Sequence, residues 1–163
     1  MVRLGIRHLL IAACLAPHAV TAQIPAGRGE RGERGGADDS ALVVIGHAGL
    51  PADSVTRAQL RRIFLARQRF WPGGLRIQAV NLPAATAVRE RFSRAALGRG
   101  SRELAGYWAD LYFHGTQPPP VLASERAVLL FVERTPGAVG YLRAAALAAL
   151  LPARVKRLLV LPP

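Results

Sequence analysis

The chain has one cysteine, one methionine and a single lysine, Lys156, in 163 residues. A lone cysteine, Cys14, closes no intrachain disulfide, and there is no cysteine pair to hold a metal. Acidic residues are scarce as well: 10 stand against 22 basic ones, a formal charge of +12. Arginine supplies almost all of that excess. An arginine-for-lysine bias beside abundant Ala, Gly and Pro is what a GC-rich genome produces. The arginines also spread from Arg57 to Arg157 instead of forming one patch, so the charge does not point to a nucleic-acid partner. Motifs of catalysis are missing too. There is no G-x-S-x-G, no P-loop and no H-E-x-x-H. His47 and His114, with Asp53 or Asp110, make only a loose constellation, and no spacing suits a metal. The chain reads as a non-enzyme with no cofactor, no metal and no catalytic residue.

What is present begins with an export signal. MVRLGIRH is a short basic segment, LLIAACLAPHAV is an apolar run, and Val20-Thr21-Ala22 fits a small-x-small cleavage site. Residues 1–22 therefore read as a secretory signal peptide, too short to span a bilayer. A rival reading takes Ile11-Ala12-Ala13-Cys14 as a lipobox, which would anchor the chain by a lipid on Cys14. Either way the expected location is periplasmic or secreted. Residues 23–40, QIPAGRGERGERGGADDS, read as a flexible linker: glycine-rich, of alternating charge and without apolar periodicity. The folded domain is then 41–163.

Within it, Ala41 to Ile45 is a short apolar run that suits a buried strand. Thr56-Arg57-Ala58-Gln59 is a capping box that opens a helix. Leu60, Ile63 and Phe64 form the inner face of that helix, and Arg57, Arg61 and Arg62 the outer one. Trp71-Pro72-Gly73-Gly74 is a turn. A second strand is centred on Ile77 to Val80. Thr86 caps a helix with Val88, Phe92 and Ala95 inward. Ser101 and Glu103 start another, with Leu104, Tyr107, Trp108, Leu111 and Tyr112 as its apolar stripe. HGTQPPP is a rigid loop, Ser124 opens a fourth helix, and Thr135-Pro136-Gly137 turns into a strand at Ala138 to Tyr141. Arg157 to Leu161 is a last strand. Strands alternating with helices imply an α/β layered domain with a mostly parallel sheet flanked by helices.

Two stretches carry a resemblance. Ala58-Gln59-Leu60-Arg61-Arg62-Ile63-Phe64-Leu65 followed by Trp71, and Pro136-Gly137-Ala138-Val139-Gly140-Tyr141, stand in the order and spacing found in one group. Over roughly 42–142 the chain resembles the short phosphate ABC-transporter substrate-binding-like proteins of the periplasmic-binding-protein superfamily. The resemblance implies a single lobe of that fold. It also implies phosphate or a related oxyanion as ligand, with ABC-transporter membrane subunits or an envelope sensor as partners. It makes Arg61 and Arg62 a solvated face, and Phe64 and Trp71 packing residues. The full-length binders carry an Asp and a Ser-Gly-Thr run where this chain has NLPAATAVRE, and here only Thr86 keeps a hydroxyl.

An oxyanion would be sought at helix N-termini beyond the carboxyl ends of the strands. The candidates are Thr86, Ala87, Val88 and Arg89 at one helix start, Gly115 and Thr116 in the proline-rich loop, and Ser124 at another helix start. The bland alternatives stand beside them: Thr86 and Ser124 as plain N-caps, Arg89 as a surface arginine, Gly115-Thr116 as a turn. Two functions follow. One is an exported solute-binding protein for an oxyanion. The other is a single-lobe interaction module of the envelope without tight small-molecule binding.

Overall fold

The apolar run at the start of the domain forms β1 (Leu42–His47), buried at every position but His47. The structure is a computed structural model, and it describes residues 41–150 and 154–163. The proposed signal peptide at 1–22, Cys14 and the linker at 23–40 lie outside the described residues. After β1 come α1 (Arg57–Phe64), β2 (Gln78–Ala79), α2 (Ala87–Phe92), α3 (Glu103–Phe113), α4 (Glu125–Arg134), β3 (Ala138–Arg143), α5 (Ala144–Leu150) and β4 (Val155–Leu161).

The strands form one sheet in the order β2-β3-β1-β4. The mostly parallel sheet expected from the sequence is corrected here. Only β2 and β3 pair in parallel; β1 opposes both of its neighbours, β3 and β4. It follows that β2, β3 and β4 all point one way and β1 is threaded against them. Alternation of strands and helices fixes the layering, but it does not fix which strand is inserted between which. The α/β domain with helices against a sheet is as expected.

Local sequence explains most helix starts. Thr56 and Gln59 form the full capping box: the Thr56 hydroxyl accepts from the Gln59 N–H at 3.1 Å, and Gln59 Oε1 accepts from the Thr56 N–H at 2.8 Å. Leu60, Ile63 and Phe64 are the buried face of α1, and Arg57, Arg61 and Arg62 are exposed, all as the 3.6-residue period requires. Thr86 and Ser124 cap α2 and α4. Ser101 does not cap α3. Its backbone N–H and hydroxyl both donate to Glu90 Oε2, at 2.9 and 2.6 Å.

Three further readings change. Past α2 the helical path widens into a π-type turn, Ser93–Leu97. A π turn adds one residue per turn, so Ala96 points inward and Ala95 faces solvent. The apolar stripe of α3 is only partly covered: Leu104 is buried, Tyr107 and Trp108 half-buried, while Tyr112 is 63% exposed and Phe113 87%. The alanine-rich α5 forms where the sequence suggested no element, consistent with alanine's top helix propensity.

The core is built on β3. The ring of Tyr141 stacks on Phe92 with centroids 3.6 Å apart and meets Phe64 edge-on at 5.8 Å. Gly140 lies beneath α4, where a Cβ would stand 2.5 Å from a methyl of Val128. Gly137 has φ +83, and a Cβ there would stand 2.1 Å from the carbonyl oxygen of Arg76. The Gly137 carbonyl in turn accepts from Trp71 Nε1 and from the Gln78 N–H, both at 3.0 Å. The Pro-Gly-Ala-Val-Gly-Tyr stretch thus has a steric reason at each glycine and a packing reason at the tyrosine.

Gly137→Ala should destabilise the protein by more than about 1 kcal/mol, because backbone strain and a backbone clash act together. Urea unfolding would check it. A change within experimental error would mean that the Arg76 segment is free to move away.

Candidate functional site

β2 and its extension end at Asn81 and Leu82, beside the carboxyl end of β3. Asn81 also bridges in parallel to Val121: its N–H donates to the Pro120 carbonyl and its carbonyl accepts from the Leu122 N–H, each at 2.8 Å. Two segments running side by side therefore lead into two helix starts, Thr86 of α2 and Ser124 of α4. This is the edge of an open sheet where ligands of α/β proteins gather.

At Thr86 the hydroxyl has both bland and functional features. It donates to the Pro83 carbonyl at 2.8 Å and accepts from the Arg89 N–H at 3.3 Å, so it is a genuine N-cap. The Glu90 N–H bonds the Thr86 carbonyl. That leaves the N–H groups of Ala87 and Val88, in the first turn, without a backbone acceptor inside the helix. Ala87 is exposed and Val88 half-buried.

Arg89 is where the structure departs most from expectation. Read from the sequence it is a surface arginine of the first turn, yet it is only 8% exposed. Its positive charge acts on the hydroxyl of Tyr141, a residue with no exposed surface. That hydroxyl accepts from the Leu82 N–H at 3.2 Å and lies 3.4 Å from Asn81 Oδ1. Arg89 Nε and Nη1 are buried and have no hydrogen-bond partner, and neither does the buried Ser93 Oγ one helical turn further on. None of the ion pairs among the described residues includes Arg89. A guanidinium does not give up its proton in a protein. A buried, permanent positive charge with two free donors is an expensive arrangement unless an anion completes it. The Tyr141 hydroxyl offers it no charge. Burial pushes the Tyr141 hydroxyl pKa up, against smaller opposing effects of Arg89 and the Leu82 N–H, so it stays neutral at ordinary pH.

The adjacent Glu90 faces the other way. It pairs with Arg94 at 2.8 Å and accepts both donors of Ser101. These bonds, the Ser101 hydroxyl first, hold its carboxyl at about 2. Glu90 is therefore fully occupied and does not neutralise Arg89.

The remaining candidates do not join this cluster. Gly115 and Thr116 lie in a separate groove of about 540 Å³ along β2, together with Arg69, Arg76 and the run Pro118 to Pro120. There the Thr116 hydroxyl accepts from Arg69 Nη2 at 2.9 Å. Ser124 is exposed and caps the Ala127 N–H at 3.1 Å. Its neighbour Glu125 already supplies an anion at that helix start and pairs with Arg143 at 2.9 Å. Among the described residues no group of three or more His, Cys, Asp or Glu is placed to hold a metal. No helix of the described residues is long and apolar enough to cross a membrane.

No protein-family model matches the chain, and no curated protein matches it in sequence. Solved structures do match in fold. An ABC-type phosphate transport receptor from Vibrio cholerae superposes with a TM-score of 0.55 at 18% identity, over 72% of this chain and 45% of that one. PstS from Borrelia burgdorferi superposes with a TM-score of 0.57 at 15% identity, over 72% of this chain and 46% of that one. The chain thus spans less than half the length of these two proteins. It shares its fold with part of these phosphate-transport proteins, as the sequence resemblance implied.

Because the Glu90 pKa lies at about 2 against an ordinary 4.5, the link to Ser101 contributes stability that is complete above pH 4.5. It is lost as pH falls toward 2. Carboxyl titration by NMR should find Glu90 near the lower value and should find it raised in Ser101→Ala. A Glu90 titrating at 4.5 in the unsubstituted protein would contradict the geometry.

Proposed function

We propose that this protein is an exported solute-binding protein that takes up phosphate or a related oxyanion, and that it delivers this ligand to an ABC-type transport system. The single observation that carries the reading is the buried guanidinium of Arg89. It belongs to the first turn of the helix that Thr86 caps, with Nε and Nη1 buried and unpartnered and no ion pair among the described residues. An oxyanion accepts two N–H bonds from one guanidinium in a planar fork. The first-turn N–H groups of Ala87 and Val88 belong to the same helix start, where the backbone dipole favours negative charge. The fold shared with phosphate-transport proteins supports the ligand class and the transporter partner. The signal-like sequence at 1–22 supports a periplasmic location.

The test is calorimetry of the full chain with phosphate, sulfate and a phosphonate at low salt, in the original protein and in Arg89→Met. Two opposite effects are expected from that one substitution. Oxyanion binding should disappear. The ligand-free protein should gain about 1 kcal/mol or more in stability, since an uncompensated buried charge is replaced by an apolar side chain of similar length. An Arg89→Met protein that still binds the anion, or that becomes markedly less stable without ligand, would show Arg89 to be structural. Thr86→Ala separates the cap from the site. It should cost about 1 kcal/mol through the lost N-cap alone and should leave most of the binding intact.

A second reading, that of an envelope interaction module, rests on α3. Its last turn leaves Tyr112 and Phe113 mostly exposed, and exposed aromatics mark association surfaces when they cluster. If Tyr112→Ser with Phe113→Ser left every envelope association unchanged, that reading would fail.

A further inference from the structure

α1 carries three arginines and no acidic residue. Arg57 stands at its first position, the positive end of the helix dipole, where a cation is unfavourable. Arg57 and Arg61 are one turn apart, a like-charge spacing that opposes helix formation. Elsewhere on the surface the arginines Arg94 and Arg143 have carboxylate partners, Glu90 and Glu125. No ion pair among the described residues includes Arg57, Arg61 or Arg62.

A fourth arginine is brought to the same place by an unusual backbone. Ala66 is the only described non-glycine residue with positive φ, at +56, a conformation costing roughly 1–2 kcal/mol for an L-residue. It lets the chain turn back at the end of α1, with the N–H groups of Arg67 and Gln68 both on the Arg62 carbonyl, at 2.8 and 3.1 Å. The Arg67 guanidinium then lies 5.9 Å from the centre of the Tyr107 ring, and Arg62 Nε donates to Gln68 Oε1 at 3.4 Å. Arg57, Arg61, Arg62 and Arg67 line a groove of about 410 Å³ together with Ala58, Ala95, Ala96 and Gly98. No carboxylate is among the lining residues.

We propose that this groove between α1 and the turn after α2 binds a compact polyanion bearing two or more linked phosphate groups. Such a ligand presents oxygens at several points, and arginine forks pair with phosphate oxygens bidentately. A single phosphate would engage one or two of the four. The site is distinct from Arg89, which is buried and does not line this groove.

The experiment is calorimetry of the full chain with inorganic tripolyphosphate and with orthophosphate, over a range of salt. Tripolyphosphate should bind at least about tenfold more tightly than orthophosphate at this groove, a difference of about 1.4 kcal/mol. Arg61→Ala with Arg62→Ala should remove that preference, while Arg89→Met should leave it. Both arginines are exposed, so the double variant should fold, and its melting temperature checks this. Arg126→Ala with Arg134→Ala removes two exposed arginines of α4 as the control. Equal affinity for the two anions, or an equal loss in the control, would reduce the effect to net charge and overturn the proposal. A vesicle arm distinguishes the source of the phosphates. Binding to vesicles of cardiolipin, whose headgroup links two phosphates, that tripolyphosphate displaces would place lipid headgroups in the groove. Tripolyphosphate binding without vesicle binding would place a free polyphosphate there. Because the decisive variants lie in α1, loss of the Arg89 site and loss of this one are read separately.

Discussion

The structure depends on the burial of one tyrosine. Tyr141 lies in the buried stretch of β3 with no surface left exposed, and both its ring and its hydroxyl are used. One ring face stacks on Phe92 of α2, and Phe64 of α1 meets it at an angle. The hydroxyl accepts from the Leu82 N–H, where β2 gives way to the loop before α2. The charge of Arg89 acts on the same hydroxyl. Two helices, two strands and the candidate anion site are thus referred to a single side chain. A phenylalanine would keep the stacking but strip the Leu82 N–H of its acceptor, and an unmet buried donor costs about 1–3 kcal/mol.

The charges fall into three settings that the total of +12 conceals. Arg94, Arg143 and Lys156 are neutralised by Glu90, Glu125 and Asp53. Lys156 also donates to the Leu50 carbonyl at 2.8 Å, which ties β4 to the loop after β1. The arginines of the α1 groove stay in water, where unpaired charge is cheap but mutual repulsion persists. Among the described residues, Arg89 is the arginine taken out of water and left without a counter-charge. Neutralised pairs account for architecture. The two unneutralised sets are where an outside anion changes the free energy most.

Much of this was legible in the sequence, for physical reasons. Capping chemistry is local, so Thr56 with Gln59, Thr86 and Ser124 each declared a helix start that the structure contains. The apolar period of α1 gave its buried face. The Pro-Gly-Ala-Val-Gly-Tyr stretch suggested the fold, and the structure supplies the reason: the two glycines sit where a Cβ would collide with Arg76 or Val128. What stayed hidden depends on distant partners. The insertion of β1 between β3 and β4 is decided by pairings far apart in sequence. The π-type turn that moves the inward position from Ala95 to Ala96 has no compositional mark. The burial of Arg89 was invisible because arginine in an amphipathic helix is assigned to the wet face by default. Only the position of Tyr141, more than fifty residues later, reverses that assignment.

The account stands or falls on the state of Arg89. The direct measurement is the NMR signal of its side-chain Nε–H, assigned by its loss in Arg89→Met and followed while phosphate is added at low salt. A free donor in a site that takes an oxyanion should move far downfield along a saturable curve and become protected from exchange. The exposed arginines of α1 should respond only at higher phosphate concentration. An Nε–H that does not respond to any oxyanion, while the surface arginines respond together, would contradict the claim that this buried charge is completed by a ligand.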